Sequence, residues 1–504
     1  MKTPHTINSN YFKEYFPSDV SQVIIPDCYR NVKSEDQTWD EFCPVRLTEQ
    51  CVAVLVKNFK KRVVLQELPL WDRNRMLETL PTDLPLPLVV KHIDDGIYWE
   101  RKVKDRWKGE ANYCQDYDFN WKRMFLEKHM EEAIEAMTPE GYDIEAVLLL
   151  CGLTRDYIKR LNIRELQAKQ VSRFQAAPED GDEEAAFAPP LNEHIDLEPI
   201  IKNLIHLTEL HIQFGLRNVG SSYDSYYFQF TLDDCRNLGK GINQAQNLKL
   251  LRVHSCNLDD DKVLALLSNM DRNESLESID FSNCILKDDG ASAVAKYMMN
   301  RSNLTKLNLS NNLIGEVGIS ALAFVLTQPQ CCPLEYLNVR CNAFGDGGLK
   351  FLASALVRER PVLRNLNVAC CNLGEESGIY MGEVLNRNTL LTDLDMSNNH
   401  LNEEGGRALQ MAIEGSKTIL NLDLRATGIP EEALDAIKNV LFFNRIRSLK
   451  GERGVQREIR LAAKRIEDER LRLERLAWEE ARAAEEAALK AAAEAARAAA
   501  EDDD

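Results

Sequence analysis

Apolar residues recur with a period of about 28 positions between residues 204 and 445. Seven segments align on the pattern LxxLxLxxNxL, in which the ninth position holds Asn, Cys or Thr and the other lettered positions are apolar. The first positions, separated by 28, 28, 30, 29, 28 and 28 residues, are Leu248, Leu276, Leu304, Leu334, Leu363, Leu391 and Ile419. The spacing predicts one structural unit repeated along the chain.

This pattern is typical of a leucine-rich repeat. The first, fourth and sixth positions predict a short strand with its apolar side inward, and the ninth lies in the turn that follows. Acidic residues and glycines then predict the start of a helix, as in Asp288-Asp289-Gly290 and Glu403-Glu404-Gly405. A strand and a full helix in 28 or 29 residues resemble the ribonuclease-inhibitor type. We therefore expect an α/β fold, a leucine-rich-repeat solenoid shaped as a horseshoe.

Composition divides the chain into four parts. They are a mainly helical N-terminal region with five of the six tryptophans (1–175), an acidic linker (176–198), the leucine-rich-repeat domain (199–449) and a helical tail rich in Arg, Glu and Ala (450–504). In the first part, apolar residues three and four apart predict helices over 48–59, from 84 towards 99, and over 121–137. The tail composition favours one long helix.

Charge and cysteine content narrow the function classes. The formal net charge of −18 argues against nucleic-acid binding, since phosphate contacts need clustered Lys and Arg. No run of 18 apolar residues and no apolar signal core are found, so we expect neither a membrane span nor secretion. The 13 cysteines include the repeat positions Cys256, Cys284 and Cys371 and the adjacent pairs 331–332 and 370–371. We interpret them as reduced core thiols.

Motifs for catalysis are missing from the sequence. It contains no GxxxxGK[ST], HExxH, GxSxG or CxxC, and no Cys/His cluster with metal-ligand spacing. His211 and His254 occupy equivalent outward positions of successive repeats, where surface contacts are a simpler interpretation than a catalytic dyad. We expect no enzymatic activity, no cofactor and no metal.

The repeat template also predicts which side chains lie on the concave face. This face is polar, and its C-terminal half is acidic. The candidate protein-binding residues are His211, Arg252, His254, Asp280, Tyr336, Arg340, Asp393, Asp395, Asp423 and Arg425. Such faces hold partners by matching charges and hydrogen bonds, although a solvated surface without a ligand has the same composition.

A second candidate surface is an insertion between the first two repeats. Leu207 and Leu248 are 41 residues apart, about 13 more than the period. Candidate partner contacts in the insertion are Tyr223, Tyr226, Tyr227 and Phe228. The alternative is that Tyr227 and Phe230 only cover the N-terminal end of the solenoid.

The tail carries a short heptad pattern. Ile459, Ile466 and Leu473 hold one position of the heptad, and Val455, Ala462 and Leu476 hold the other. Glu469 interrupts the apolar seam, and three heptads are few for a stable coiled coil. Both a solvated single helix and a coiled coil remain open.

The N-terminal region adds a more specific resemblance. The stretch 80–86 (LPTDLPL), the pairs Tyr98-Trp99 and Arg106-Trp107, and the run 121–129 (WKRMFLEKH) are similar to the T-complex-associated testis-expressed protein 1, or dynein regulatory complex subunit 5, family. The order of tryptophan-rich region, acidic linker and repeats also matches. The resemblance covers about residues 40–445, and the tail departs from it.

The resemblance implies a non-catalytic scaffold subunit of the nexin–dynein regulatory complex in motile cilia and flagella. This complex links neighbouring doublet microtubules and relays control to axonemal dynein. The implied location is the cytoskeleton of the cytoplasm and the axoneme. The implied partners are other leucine-rich-repeat and coiled-coil subunits, with no nucleic acid and no membrane. Because tubulin is acidic, as this chain is, we expect any tubulin contact to be indirect.

Two other functions compete with the scaffold. One is a GTPase activator similar to RanGAP, for which Arg340 or Arg425 is the candidate arginine; the N-terminal tryptophan region is not needed for such a role. The other is a generic leucine-rich-repeat adaptor, for example in ubiquitin ligation, although residues 1–80 contain no convincing F-box.

Overall fold

The computed structural model describes residues 47–109, 111–137, 143–167, 194–217, 228–299, 301–358, 361–449 and 451. They form two compact units. The first unit lies within residues 1–286 and 301–304, and the second within residues 287–300 and 305–504. The predicted tail apart from residue 451, most of the acidic linker and the three insertion tyrosines lie outside the described residues.

The first unit begins with helices packed around buried aromatic residues. The helices are α1 (Leu47–Asn58), α2 (Leu70–Thr79), α3 (Leu86–His92), α4 (Ile97–Arg106), a 3₁₀ helix (Ala111–Tyr117), α5 (Trp121–Glu135) and α6 (Ile144–Thr154). Trp99 is fully buried, and its indole N–H donates to the Ile93 carbonyl at 3.2 Å. The Phe125 ring lies 5.5 Å from the Trp99 ring and 5.3 Å from the Trp107 ring. The three predicted helices are confirmed within a few residues, except that the second is split into α3 and α4.

Four parallel strands complete the first unit. They are β1 (Arg160–Ile163), β2 (Glu209–Ile212), β3 (Leu250–Val253) and β4 (Ser278–Asp280), with helices α7 (Glu198–Asn203), α8 (Leu232–Gln244) and α9 (Asp260–Asn269) between them. Leu161, Leu210, Leu251 and Ile279 are aligned across the sheet and are at most 1% exposed. This row is the inward apolar face that the template predicts.

Strand β1 was not predicted. Its residues nevertheless fit the start of the template, since Ile158, Leu161 and Ile163 have the LxxLxL spacing and are all buried. The distance from Ile158 to Leu207 is 49 positions, far from the period of about 28, so periodicity alone does not detect this copy. The parallel sheet of the first unit therefore starts before the acidic linker.

The second unit continues the same alternation of strand and helix. Its elements are α10 (Asp288–Met298), β5 (Lys306–Asn308), α11 (Glu316–Leu326), β6 (Tyr336–Asn338), α12 (Gly345–Leu356), β7 (Asn365–Asn367), α13 (Glu375–Arg387), β8 (Asp393–Asp395), α14 (Asn402–Gly415), β9 (Asn421–Asp423) and a last helix α15 over 431–449. Strands β5 to β9 are parallel and paired in chain order. The leucine-rich-repeat fold is thus confirmed.

Acidic residues at the starts of α10 and α12 connect these helices to the next repeat. The Asp288 carboxylate accepts the Gly315 and Gly318 N–H groups at 2.7 and 2.9 Å. Asp346 does the same for the Gly374 N–H at 2.8 Å. A carboxylate in the first turn of one helix therefore also stabilises the start of the following helix, where unpaired N–H groups carry partial positive charge.

The ninth repeat position supports the turn after each strand, as predicted. The Asn342 amide donates to the Leu309 and Val339 carbonyls, both at 2.9 Å. Asn399 is almost fully buried and donates in the same way to Val368 at 3.0 Å. Where the residue is Cys371, its thiol donates to the Val339 carbonyl at 3.4 Å. Side chains at this position satisfy carbonyls that the sheet does not reach.

Helices α13 and α14 pack closely enough to require glycine. A Cβ atom at Gly378 in α13 would lie 2.4 Å from the Gly405 Cα atom in α14. Real Cβ atoms do not approach so closely, so backbone contact between these helices depends on the glycine at position 378. The glycines at the predicted helix starts therefore serve packing as well as chain direction.

Candidate protein-binding surfaces

The outward side chains of the second unit form a polar depression of about 440 Å³. Two rows cross its parallel strands in register. One row is Tyr336, Asn365, Asp393 and Asn421, and the other is Asn338, Asn367, Asp395 and Asp423. The structure therefore brings together the predicted candidates Tyr336, Asp393, Asp395, Asp423 and Arg425, which all line the depression.

Hydrogen bonds organise this depression. The Asn367 amide donates to the Asp395 carboxylate at 2.9 Å, and Asn421 donates to Asp393. The hydrogen bond from Arg425 lowers the pKa of Asp423, against the effect of partial burial. Three carboxylates thus share a small surface with amides, a composition suited to cationic or hydrogen-bond-donating groups of a protein partner.

The second row has a structural role that the sequence analysis did not predict. In six consecutive repeats, a side-chain oxygen accepts the backbone N–H two residues later, at 3.0–3.1 Å. The six acceptors are Asp280, Asn308, Asn338, Asn367, Asp395 and Asp423. These are Asx turns, which close the bend after each strand. The signal was visible as Asp or Asn at the same position of six repeats.

The two candidate arginines differ in their contacts. Arg425 has an 85% exposed side chain, and its guanidinium contacts the Asp423 carboxylate at 2.5 Å. Arg340 is exposed, and its backbone N–H donates to the Asn338 side chain at 3.1 Å. Arg425 is therefore already paired with a carboxylate of its own repeat, which gives no support to an arginine held ready for a GTPase.

The outward residues of the first unit are more buried than predicted. Asp280 is only 5% exposed and pairs with the Arg252 guanidinium at 2.8 Å. Burial, together with the nearby Arg252, lowers the pKa of His211 to about 4. The same two causes lower the pKa of His254, whose Nδ1 lies 3.0 Å from the Ser255 hydroxyl. Both histidines are therefore neutral at neutral pH.

Helix α5 covers the free edge of β1 with carboxylates. Glu127, Glu131 and Glu135 are spaced four residues apart, so they lie on one side of the helix. Their Oε1 atoms accept N–H groups of the β1 segment at distances of 2.7 to 3.0 Å; the donors are Lys159, Arg160, Asn162 and Arg164. Three glutamates thus take the place of a neighbouring strand.

The run 121–125, which carries the family resemblance, contains a buried lysine. The Lys122 ammonium donates to the Val90 and Ile93 carbonyls and to the Tyr157 hydroxyl, each at 2.9 Å. The first two acceptors lie at the C-terminal end of α3, where a positive charge is favourable. The motif therefore joins α5 to the end of α3 and to Tyr157. Its lysine has a structural role in the packing of the helical region.

The insertion is described only at its end. Phe228 is half-buried, and its carbonyl accepts the Asn257 N–H at 3.2 Å. Phe230 is 4% exposed and stacks on Phe214, with ring centroids 4.0 Å apart. The stacking agrees with the covering role proposed for Phe230. Tyr223, Tyr226 and Tyr227 lie outside the described residues.

The 11 cysteines among the described residues are free thiols. Cys256, Cys284 and Cys371 are buried in the repeats, as predicted, and burial raises the pKa of Cys371 to about 12. Cys51 and Cys370 are exposed, so the interpretation of all cysteines as core thiols is wrong for these two. Within the described ranges, no cluster of His, Cys, Asp and Glu could hold a metal ion.

No helix in the described part of the chain has both the length and the apolar composition to cross a membrane.

Comparison with known proteins supports both the predicted leucine-rich repeats and the predicted family resemblance. A family model described as Leucine Rich repeat matches residues 272–295, 301–323, 330–353 and 387–409. Dynein regulatory complex subunit 5 of Mus musculus is 32% identical over 254 residues, 50% of this chain and 51% of that protein. The Homo sapiens protein of the same name is 30% identical over 254 residues, 50% of each chain. That of Chlamydomonas reinhardtii is 29% identical over 220 residues, 43% of this chain and 49% of that protein.

These similarities confirm the resemblance to dynein regulatory complex subunit 5. The chain spans about half the length of the curated relatives it matches.

Proposed function

We propose that this protein is a non-catalytic scaffold subunit of the nexin–dynein regulatory complex in motile cilia and flagella. There it contributes to the linkage between doublet microtubules and to the regulation of axonemal dynein. The observation that carries the proposal is the 32% identity over 254 residues with mouse Dynein regulatory complex subunit 5. The relative of the same name in Chlamydomonas reinhardtii supports it from a distant organism.

The polar depression of the second unit is the proposed contact surface for another subunit. Asp393 is the best candidate, because it is not one of the six Asx-turn acceptors that close the bends after the strands. The carboxylates there favour a partner segment rich in Arg and Lys. Because the chain has a formal net charge of −18, the scaffold reaches the acidic microtubule surface through other subunits.

The GTPase activator and the generic adaptor are the competing proposals. An activator needs an arginine that reaches into a nucleotide site, and Arg425 is paired with Asp423. The generic-adaptor hypothesis does not predict that the protein is located in axonemes. Location in the cell therefore separates the scaffold from both alternatives.

The test is retention on isolated axonemes. The tagged full chain is expressed in a ciliated cell, and demembranated axonemes are washed with high salt. We expect the protein to stay with the doublets and to be lost in cells that lack other subunits of the regulatory complex. A protein absent from axonemes would contradict the scaffold proposal.

A charge reversal tests the surface itself. Asp393→Lys should release the protein from axonemes at lower salt, because it places a cation in the depression. Glu383→Lys is the matched control, since this residue of α13 does not line the depression and its side chain is 56% exposed. Equal retention of both variants, each with wild-type thermal stability, would leave the complex membership intact and remove this surface from the proposal.

A further inference from the structure

Helix α6 is apolar on nearly every side, yet only one side is buried. Its sequence, IEAVLLLCGLT, has Glu145 and Thr154 as its only polar side chains. Val147, Cys151 and Thr154 face the core, whereas Leu149 on the opposite side is 77% exposed. A helix in a globular protein normally turns charged residues towards water. The exposed side of α6 therefore has the composition of a contact surface.

This side of α6 borders a groove of about 920 Å³. Its other walls are the end of α5 and the start of α3. The apolar lining includes Leu86, Ala133, Met137, Leu149, Leu150 and Leu153. The volume is near the upper end of the range for small-molecule sites. A groove bordered by two helices and lined by Ala, Leu and Met side chains has the composition that accepts a third helix.

The charges around the groove are predominantly negative. Asp143 lies at the start of α6, and a neighbouring depression that shares Ala133 is bordered by Glu132, Glu135 and Glu165. Of the two basic residues there, Arg106 pairs with Glu132 at 2.6 Å, so these two charges offset each other and Asp143, Glu135 and Glu165 carry the negative charge. The other is His129: burial and Arg106 lower its pKa, so it is neutral at neutral pH.

We propose that the groove between α5 and α6 binds an amphipathic helix of a partner protein, with an apolar stripe bordered by Lys and Arg. The apolar stripe covers Leu149 and its neighbours, and the basic residues face the carboxylates of the rim. A second copy of this chain is disfavoured, because two chains of formal net charge −18 repel each other. A membrane is disfavoured because the acidic rim repels anionic lipid headgroups. No residue that lines this groove lines the polar depression, so the proposal does not depend on the function proposed above.

The direct test uses a synthetic peptide as the probe. The peptide has leucine at positions i, i+3, i+4 and i+7 and lysine elsewhere, and a matched peptide has glutamate in place of lysine. Fluorescence anisotropy measures the binding of each labelled peptide to the full chain at physiological salt. We expect the lysine peptide to bind about tenfold more tightly than the glutamate peptide, a difference of about 1.4 kcal/mol. Equal affinity for the two peptides, or no binding of either, would overturn the proposal.

Variants locate the binding on the protein. Leu149→Asp should weaken binding of the lysine peptide about tenfold, and Leu149→Ala should weaken it less. Leu70→Asp is the matched control, because Leu70 is 70% exposed and does not line the groove. It adds the same charge and should change the affinity less than about twofold. Glu165→Lys should weaken binding about threefold.

Other occupants give different results in the same set of variants. Wild-type affinity in both Leu149 variants would place the peptide elsewhere and overturn the proposal. Self-association of the wild type in sedimentation, lost in Leu149→Ala, would identify a second copy as the occupant and would also overturn it. Binding of neutral phosphatidylcholine vesicles that Leu149→Ala removes, without peptide binding, would assign the groove to lipid. Thermal melts of each variant confirm that its fold is intact.

Discussion

The first strand and the last strand of the repeats are both edge strands, and the chain protects them with opposite chemistry. In the described residues, β1 pairs with β2 alone and β9 with β8 alone. At β1, three glutamates of α5 accept N–H groups. At the other end, Asn444 and Arg445 of α15 donate to the carbonyls of Ser416, Ile419 and Leu420, in the segment that leads from α14 into β9. The groups at β1 are carboxylates, which titrate. The groups near β9 are an amide and a guanidinium, whose charge does not change near neutral pH.

This difference has an energetic consequence. A buried carboxylate contributes to folding only when its hydrogen bonds offset the loss of water. An amide carries no charge, so its burial costs less. The β1 edge should therefore be more sensitive to mutation and to pH than the β9 edge.

The largest expected effect is at Glu127. Its side chain is fully buried, and one oxygen accepts N–H groups from Arg123, Lys159 and Arg160 at 2.8, 2.8 and 3.0 Å. Glu127→Ala leaves a mostly buried guanidinium and two N–H groups without this acceptor, at a cost of about 3–5 kcal/mol. Urea unfolding followed by tryptophan fluorescence measures the loss, since five of the six tryptophans precede residue 176.

Glu135→Ala is the control for that measurement. Glu135 accepts one N–H group, from Arg164 at 2.7 Å, in an exposed hydrogen bond. Its removal should cost about 1 kcal/mol. Equal costs for the two variants would show that burial of Glu127 does not determine the stability of this edge.

The second expected effect is a pH dependence at Glu131. Burial raises the pKa of this carboxyl from 4.5 to about 7, although the Asn162 N–H acts in the opposite direction. The folded state then binds more protons than the unfolded state between these values. Stability should therefore fall as pH rises from 4.5 to 7, by at most about 3 kcal/mol. Glu131→Gln keeps an acceptor oxygen and should remove this slope.

The comparison between wild type and Glu131→Gln is needed because His211 acts in the opposite direction. Its pKa falls from 6.5 to about 4, so its contribution to stability is lost as pH decreases from 6.5 to 4. The difference between the two unfolding curves removes the contribution of His211, which both proteins share. An unchanged pH dependence in the glutamine variant would contradict the assignment.

The third expected effect is at the β9 edge. Asn444 is 3% exposed, and its amide donates to the Ser416 and Ile419 carbonyls at 3.0 and 3.1 Å. Asn444→Ala should cost about 2 kcal/mol, since two buried carbonyls lose their donor. The ratio of the hydrogen-exchange rates of variant and wild type in β8 and β9 should rise, and this ratio should be the same at pH 5 and pH 8. Arg445→Ala, at an exposed contact, should cost less than about 1 kcal/mol.

The smallest expected effect is a gain in stability in a turn of the second unit. Ala426 follows β9 with φ of 54°, in the left-handed region. Ala426→Gly should stabilise the fold by about 0.5–1 kcal/mol, because glycine has no Cβ clash there. Asn398 has φ of 56° at the equivalent position, and Asn tolerates this region, so Asn398→Gly should have little effect. Thermal unfolding measures both changes, and a loss of stability in Ala426→Gly would contradict the strain argument.

Most of the repeat domain could be predicted because its contacts are local. The template aligns four leucines across adjacent strands, and the structure places them in this register with at most 2% exposure; they are Leu307, Leu337, Leu366 and Leu394. Each repeat buries its apolar side against its neighbours, so the same pattern must return at every period. The hydrogen bonds within the polar depression were not predicted. The template gave the outward positions of Asp395 and Asp423, but it did not show that both close Asx turns.

By itself, the sequence determined the repeat class, the strand and helix positions from Leu248 onward, and the polar character of the outward face. These depend on residues within about one period of each other. Only the tertiary structure decided that β1 pairs with β2 across 49 residues, that α5 carboxylates cover the edge of β1, and that Leu149 on one side of α6 is exposed. Such features depend on side chains from segments about 30 to 50 residues apart in sequence. Folding determines which residues become neighbours, and these neighbours decide whether a polar group is hydrogen-bonded and whether an apolar side chain is buried.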